Sequence, residues 1–431
     1  MNKKGIFTLL AFVLSIPFLS GCQNNKNPID PPSPEDIVPP DVNYSFLDGK
    51  AVFSFNKKGY EKFNLYQKEK GKDEYQFVSS LNDNTFTSDD LWMDYKVVAL
   101  NNDNSENNEY ILEIDSYFAG VFHNKSAKVF EENDDHLDIQ KYIDDKYEYL
   151  ATDEWSNERN EIMFLPGDYS DITLKNGYYT TFKGLGYSPD DAEFEKLWTK
   201  NHPNTGNALI NFWRSLENLS FNEDSMWAIS QATSIRRGHF KGNLVLSDNK
   251  GGNGWSSGGF IANSKIDGVI NPGSQQQFLM RNDEFESWTH SNMNMVFEGC
   301  VGETPEGSWI ESRTTVEENN LPVIEKPYLV FDENKGFGYI NNNTIREEKG
   351  YDWNQETNEF IPLYDFAVIN PTYTAAQINY VLNNNKYVLF TPGIYNIDTT
   401  LEVKNDDSII MGMGYATLSA VGDVKKVMSV R

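Results

Sequence analysis

Between Ala208 and Gly302 the chain alternates short apolar runs with polar turns: ALINFWRSLENLSF, WAISQATSIRRGHFKGN, GGFIANSKIDGVI, QQQFLMRNDEFES and MNMVFEGCVG. Apolar runs this short, separated by Gly, Asn, Asp and Ser, predict strands and turns, not helices. The turn-like anchors Leu219, Phe240, Ile266 and Phe285 recur about 19 to 26 residues apart. That spacing fits one coil of a parallel β-helix, in which each coil needs its neighbours to bury its apolar face. The pattern therefore predicts a right-handed β-solenoid that displays polar side chains along one outer sheet.

Upstream, the pattern changes. Over Val42 to Ile114 the runs NYSFLDG, AVFSFNK, FNLYQKEK, YQFVSSL, MDYKVVALN and EYILEI predict a small β-sandwich. The spacing Tyr95-x-Val97-x-Ala99, after Leu91 and Trp92, resembles strand F of fibronectin type III domains, with Tyr95 as the corner tyrosine. Such a module serves as a spacer or, alternatively, as a carbohydrate-binding module. The stretch DIQKYIDDKYEYL spaces Ile139, Tyr142, Ile143 and Tyr147 as a short helix requires. It leads into EIMFLPGDY and YYTTFKGLGYSPDD, a strand running into Pro-Gly and then a Gly-x-Gly turn. The order recurs near the end as AAQINYVL, YVLFTPGIY and SIIMGMGYATL. Pro166-Gly167 and Pro392-Gly393 are 226 residues apart, and Gly184-Leu185-Gly186 and Gly412-Met413-Gly414 are 228 apart. A nearly constant offset marks an internal duplication. Only 17 residues follow Gly414, so the expected second solenoid is a truncated start, and turnover by this chain is expected to be low or absent.

The organisation expected is a lipoprotein leader over residues 1–22, a Pro-rich tether over 23–40 and a sandwich over 41–115. A first right-handed β-helix follows over 116–302, then a connecting segment over 303–370 and an incomplete second β-helix over 371–431. Composition agrees with an all-β chain, because strand-favouring aromatics are plentiful, with 23 Tyr, 27 Phe and 9 Trp. The formal charge of −27 repels nucleic acid and polyanions and suits an extracellular setting. At the N-terminus Lys3 and Lys4 precede an apolar stretch from Ile6 to Leu19 that ends in Leu19-Ser20-Gly21-Cys22. This resembles a bacterial lipobox, which implies lipidation of Cys22, membrane anchoring through that lipid, and a place in the cell envelope facing outside or the periplasm. Cys300, the one other cysteine, then has no disulfide partner and is expected to be a buried small hydrophobe.

The pairs LPGDY/GLG and TPGIY/GMG resemble the opening of pectate-lyase-superfamily β-helices of the rhamnogalacturonase/epimerase-like type. Two such helices in one chain resemble glycoside hydrolase family 55, the β-1,3-glucanases. The runs NFWRSLENLSF, WAISQATSIRRGHFKGNL, SSGGFIANSKIDG, GSQQQFLMRN, SWTHSNMNMVFEG and PVIEKPYLVFD also resemble secreted bacterial proteins labelled coagulation factor 5/8 type domain or "adenylyl cyclase" proteins. The chain contains no Gly-rich phosphate loop or metal-binding Asp pair that would support the cyclase label. The resemblance implies a carbohydrate-active protein; with the lipobox, the expectation is a cell-surface glycoside hydrolase acting on a neutral polysaccharide such as a β-glucan, a monomer without cofactor or metal. A non-catalytic glycan-binding or adhesive lipoprotein, and a polysaccharide lyase, are the alternatives.

Glycoside hydrolysis uses two carboxyl groups that flank the scissile bond. Glu217 in WRSLEN and Asp267 in KIDG are the carboxylates on the shared motifs, and Arg281 is the third catalytic candidate. Each carboxylate has a plain alternative as a turn cap or surface charge. Asp283, Glu284 and Glu286 form the densest acidic cluster, and Asn263 stands where an acidic residue is usual in the related proteins. Gln275, Gln276 and Gln277, followed by Arg281 and Asn282, form the most unusual polar run. They are expected either to bind sugar hydroxyls or to form an amide ladder between coils. Trp213 and Arg214 offer a stacking face and a donor, against the alternative of an interior Trp. Arg236, Arg237 and His239 are expected to point outward, with Arg236 a candidate for substrate binding. HExxH, CxxC and the Asn-Thr-Asp, Gly-His-Gly and Arg-Ile-Lys signatures of polygalacturonases are absent.

Overall fold

The structure is a computed structural model that describes residues 42–47, 50–69, 72–88, 93–114, 121–122, 125–248, 254–317, 321–354 and 358–431. The leader with Cys22, the tether, Leu91 and Trp92 lie outside the described residues. The first described strands form two antiparallel sheets. One holds Val42–Leu47, Lys50–Phe55 and Thr85–Ser88; the other runs in the order Gln76–Leu81, Phe63–Glu69, Met93–Leu100, Glu106–Ile114. Alternation buries Ala51, Phe53 and Phe55 on one face. Phe53 stacks on Phe86 at 4.6 Å and meets Tyr95 at 5.2 Å. Tyr95 is buried, and its hydroxyl donates back to the Ser88 side chain.

The bulk of the chain is a stack of parallel coils. One sheet runs through Ala127–Phe130, Asn160–Phe164, Thr180–Gly184, the first halves of Arg214–Phe221 and Thr233–Phe240, then Phe260–Ala262, Gln277–Arg281 and Asn294–Glu298. Thr314–Glu317 adds one more strand beyond Gly302, so the stack continues into the expected connecting segment. The second halves of the longer strands pair into another sheet with Ala192–Thr199, Lys265–Asn271 and Glu284–Trp288. Inside the coils, Phe, Leu and Ile from successive turns form one continuous core. Tyr169 stacks on Phe194 at 5.2 Å, and Phe221 on Phe240 at 4.9 Å. Each such side chain contributes roughly 1.5–3 kcal/mol of burial.

Between the two sheets every coil must bend. Asn218, Arg237, Asn263 and Asn282 take this corner at φ of 59°, 52°, 51° and 54°, and Gly299 follows at 59°. Asn tolerates this left-handed region because its short amide can bond locally. Here the corner side chains also tie coils together. Asn218 Nδ2 donates to Gly186 O at 2.7 Å, and Arg237 Nε donates to Asn218 Oδ1 at 3.1 Å. Asn263 and Asn282 bond instead to the segment that carries Glu348 and Asp352: Asn263 Nδ2 donates to Asp352 O at 3.1 Å and Asn282 Nδ2 to Glu348 O at 3.1 Å.

After an antiparallel sheet of Tyr328–Asp332, Gly336–Asn341 and Glu359–Pro362, the coil pattern begins again. Ala367–Ile369, Tyr387–Phe390 and Ile409–Gly412 pair in parallel, as do Ile394–Ile397 with Thr417–Ala420 and Leu401–Val403 with Met428–Val430. A helix opens each repeat. His136–Leu150 is capped by Asp135, and Ala375–Asn384 by a Thr374/Gln377 capping box. The duplication extends to single bonds. Tyr169 OH donates to Leu165 O at 3.0 Å, and Tyr395 OH donates to Thr391 O at 2.8 Å and Ile369 O at 2.9 Å. The two starts meet in a shared core that contains Met163 and Leu185 from the first, Leu389, Met411 and Met413 from the second, and Phe337 and Tyr339 from the hairpin between them.

Candidate active site

Strand alternation sends every second residue of the first sheet outward. Register then places Lys183, Glu217, Arg236, Ala262, Arg281 and Glu298 in one line across neighbouring strands. Neighbours in such a line sit about 4.8 Å apart, so charges distant in sequence become contacts. Glu161 joins diagonally from the preceding strand, which pairs with the strand bearing Lys183. Over this line lies a cavity of about 430 Å³, lined by Glu161, Lys183, Glu217, Arg236 and Lys326 together with Thr181, Ser215 and Ser234. Gly412, Gly414 and Tyr415 of the second coil start also line it. Gly414 has φ of 48°, and a Cβ there would meet Asn160 C and O at 2.8 Å. Glycine is thus what lets the second start lie against the first strand of the site.

The charges are tightly paired. Lys183 Nζ lies 2.6 Å from Glu161 Oε1 and 3.4 Å from Glu217 Oε2, while Lys326 Nζ lies 2.6 Å from Glu217 Oε1. The side chains of Lys183, Glu161 and Glu217 are 5%, 0% and 6% exposed, whereas Lys326 enters from the surface at 40%. Burial opposes ionisation of Glu217, but Lys326 and Lys183 outweigh it and pull the carboxyl down to about 2. Burial likewise opposes the charge on Lys183, and Glu161 and Glu217 overcome it and raise the ammonium above its ordinary range. Glu161 Oε2 is buried without a hydrogen-bond partner among the described residues. Desolvating such charges is costly, and clusters of this kind are common where chemistry or ligand binding needs them. The wall offers an ionised carboxylate, hydroxyls and ammonium groups. It can bind a polyol and accept a proton from water.

Of the expected catalytic residues, only Glu217 lines this cavity. Asp267 lies in the strand Lys265–Asn271, not in a turn, and its carboxylate is taken by Lys265 at 2.7 Å and His239 at 3.1 Å. It therefore belongs to a different sheet from Glu217, and the two do not flank one groove. Arg281 shares the outward line but is held by Glu325, whose two oxygens each lie 2.8 Å from Nη2. Arg236, expected to bind substrate, does line the cavity, and its Nη1 lies 3.6 Å from Glu325.

The amide run resolves toward the structural alternative. Gln275 is fully buried, donates to Leu246 O at 2.8 Å and Ile229 O at 3.0 Å, and accepts from Gly258 N at 2.8 Å. Gln276 accepts from Ser257 Oγ at 3.1 Å, and Ser257 accepts from Gln231 at 3.0 Å, a ladder across three coils. Gln277 is exposed at the start of its strand, and Asn282 is a corner residue whose Nδ2 donates to Glu348 O at 3.1 Å. Arg214 points inward, fully buried, with bonds to Asn176 O at 2.8 Å and Asn211 Oδ1 at 3.2 Å. Gln275, Asn282 and Arg214 are therefore scaffold, not ligand contacts. Asp283 is scaffold as well: it is buried, accepts from Ser264 N at 2.8 Å and Arg281 N at 3.0 Å, and burial pushes its carboxyl well up.

Trp213 stands at a corner beside the cavity, with φ of 49°. Its ring stacks on Tyr179 at 5.0 Å, and Arg159 covers Tyr179 at 3.8 Å. Trp155 lies 6.0 Å from Trp213 and is 76% exposed, and Tyr415 meets Tyr179 edge-on at 6.4 Å. Sequence reasoning missed Glu161, Lys183, Lys326 and Tyr415. Among the described residues no group of His, Cys, Asp and Glu could hold a metal ion.

Residues 366–430 match the family described as the LAM55 pectate lyase-like domain. An exo-beta-1,3-glucanase of Streptomyces sp. (strain SirexAA-E / ActE) is 38% identical over 289 residues, or 65% of this chain and 47% of the relative. The structure of sacteLam55A from Streptomyces sp. SirexAA-E superposes with a TM-score of 0.65 at 36% identity, covering 70% of this chain and 55% of that one. A glutamate-to-alanine variant of sacteLam55A in complex with glucose matches equally well. The chain spans about half the length of the curated relative it matches. The resemblance read from the Pro-Gly and Gly-x-Gly pairs is borne out: over the shared region this chain is similar to glycoside hydrolase family 55, or Lam55, proteins with a pectate-lyase-like β-helix.

Proposed function

We propose that this chain supplies a wall of the sugar pocket of a β-1,3-glucan hydrolase that works from chain ends. The observation that carries the proposal is the cavity built jointly by the first sheet and Gly412–Tyr415, in a chain 38% identical over 289 residues to an exo-beta-1,3-glucanase. Glu217, held ionised, accepts hydrogen bonds from sugar hydroxyls and serves as the base toward water, and Arg236 and Trp213 contribute to the pocket and its rim. Hydrolysis also needs a protonated carboxyl on the other side of the bond. Both pocket carboxyls are paired with ammonium groups, which suits a base and not that acid. Glucose release from soluble β-1,3-glucan tests the proposal. Glu217→Gln should lower the rate by about 100-fold, the scale of a lost general base, while Asp267→Asn should stay within about twofold. Equal loss in both variants, or none in Glu217→Gln, would remove the assignment.

We further propose that the coils are right-handed, that the N-terminal sandwich is a fibronectin type III-like spacer, and that Cys22 is acylated and anchors the protein at the cell surface. The split into sheets of three and four strands and the buried Tyr95 support the spacer, and Leu19-Ser20-Gly21-Cys22 supports the anchor. Palmitate labelling should mark the wild type and not Cys22→Ser; equal labelling of both rules the anchor out.

A further inference from the structure

A second cleft, of about 480 Å³, lies along the coil corner that precedes the outward strands, and it shares no lining residue with the ion-paired cavity. Its walls come from successive coils: Trp255 in one, Ser274 and Gln276 in the next, Asn292 and Met293 in the third and Arg313 in the fourth.

The floor is fixed by side-chain-to-backbone bonds. Asn292 Nδ2 donates to Gly273 O at 2.7 Å and Gln275 O at 2.9 Å, and Ser247 Oγ donates to Gly254 O at 3.1 Å. Gly273 has φ of 57°, and a Cβ there would meet Ser247 Cβ at 2.7 Å, so the two coils touch backbone to side chain. On this floor stand two exposed apolar side chains and two polar ones that the fold uses only in part. Trp255 is 52% exposed and Met293 50% exposed. The Gln276 carbonyl is turned to Ser257, which leaves Nε2 as a donor. Arg313, exposed and at φ of 62°, is oriented by its bond to Asn292 O and keeps further N–H groups available.

We propose that this cleft is a second carbohydrate-binding site, for a neutral glucan, separate from the pocket. A pyranose has an apolar face and a rim of hydroxyls; the indole and thioether match the former, and the amide and guanidinium the latter. The overall charge of −27 argues against a polyanion as the occupant. Holding a polymer at a second point raises the effective concentration of its ends near the pocket. The choice of β-1,3-glucan as the polymer rests on the proposed hydrolase function; the presence of a sugar site does not.

Native electrophoresis through gels that contain soluble β-1,3-glucan, β-1,4-glucan or mannan tests the site with the full chain. The wild type should be retarded by the β-1,3-glucan gel, and Trp255→Ala and Arg313→Ala should each show at least threefold weaker retardation with unchanged melting temperature. If Trp255→Ala does not fold, Arg313→Ala and Gln276→Ala carry the comparison. Retardation of the variants equal to the wild type, or no retardation of the wild type in any gel, overturns the site. Retardation that depends on Trp255 in a protein whose ion-paired cavity binds no β-1,3-linked glucose oligosaccharide leaves the site standing and removes the hydrolase reading.

Discussion

Glu217 is held ionised by two ammonium groups while it is almost fully buried, and this makes it a pH-dependent element of stability. Its carboxyl is ordinarily near 4.5 and is pulled down to about 2 in the fold. The folded state therefore resists protonation. Stability from this group is fully present above about pH 4.5 and is lost as pH falls through 2. A shift of this size corresponds to about 3 kcal/mol. In urea titrations the wild type should lose stability steeply between pH 5 and about pH 2, while Glu217→Gln starts lower at pH 6 and falls less. Parallel curves for the two proteins would contradict the pairing. Lys183→Met leaves Glu161 and Glu217 buried without their shared cation and should cost roughly 3–5 kcal/mol, measured by the same titration. Glu217 was legible in the sequence because it sits on a motif shared with related proteins. Glu161 and Lys183 were harder to find, because a single charge in a strand is usually a solvated one. Their signal was position: each stands in a short strand just ahead of Pro166-Gly167 or Gly184-Leu185-Gly186. Only register shows that the two charges meet.

At the scale of elements, the duplicated start was readable to within a residue, because Pro-Gly and Gly-x-Gly mark backbone geometry that few other residues allow. Gly184 shows the reason, since a Cβ there would lie 2.0 Å from Asn218 O. The duplication predicts equal roles for Tyr169 and Tyr395. Replacing either by Phe should cost about 1–3 kcal/mol, because buried carbonyls lose their donor, and thermal unfolding of the two variants should shift by similar amounts. Gly414 makes a sharper comparison with Gly422. Both have positive φ, 48° and 63°, but only Gly414 has backbone within 3 Å of its missing Cβ. Gly422→Ala should cost about 1–2 kcal/mol from the left-handed backbone alone. Gly414→Ala should cost clearly more and should also disturb the cavity wall, which differential scanning calorimetry and glucose binding would both register. Equal shifts for the two variants would mean that the second start does not bear on Asn160. The amide run over Gln275–Gln277 misled in part because an amide ladder and a sugar-binding strip look alike in sequence. Gln275 is resolved by burial, which no local pattern reveals.

At the scale of the whole molecule, a solenoid is readable from its period, since each coil repeats the same burial problem. The site is less readable because three separated segments build it: the strands between Glu161 and Arg236, the strap carrying Glu325 and Lys326, and the Gly412–Tyr415 turn. Asp267 was plausible as a partner of Glu217 while both were only points on a repeat. The bend at Asn218 and the equivalent corner residues puts them on different sheets. What unites the account is the claim that the junction of the two coil starts is a sugar pocket. The most direct measurement is a crystal structure of the chain with a β-1,3-linked glucose trisaccharide at saturating concentration. The account predicts a glucose unit inside the cavity, within hydrogen-bond distance of Glu217 and bordered by Ser215 and Tyr415. A cavity that stays empty of sugar under those conditions, or sugar bound only in the Trp255 cleft, would contradict it.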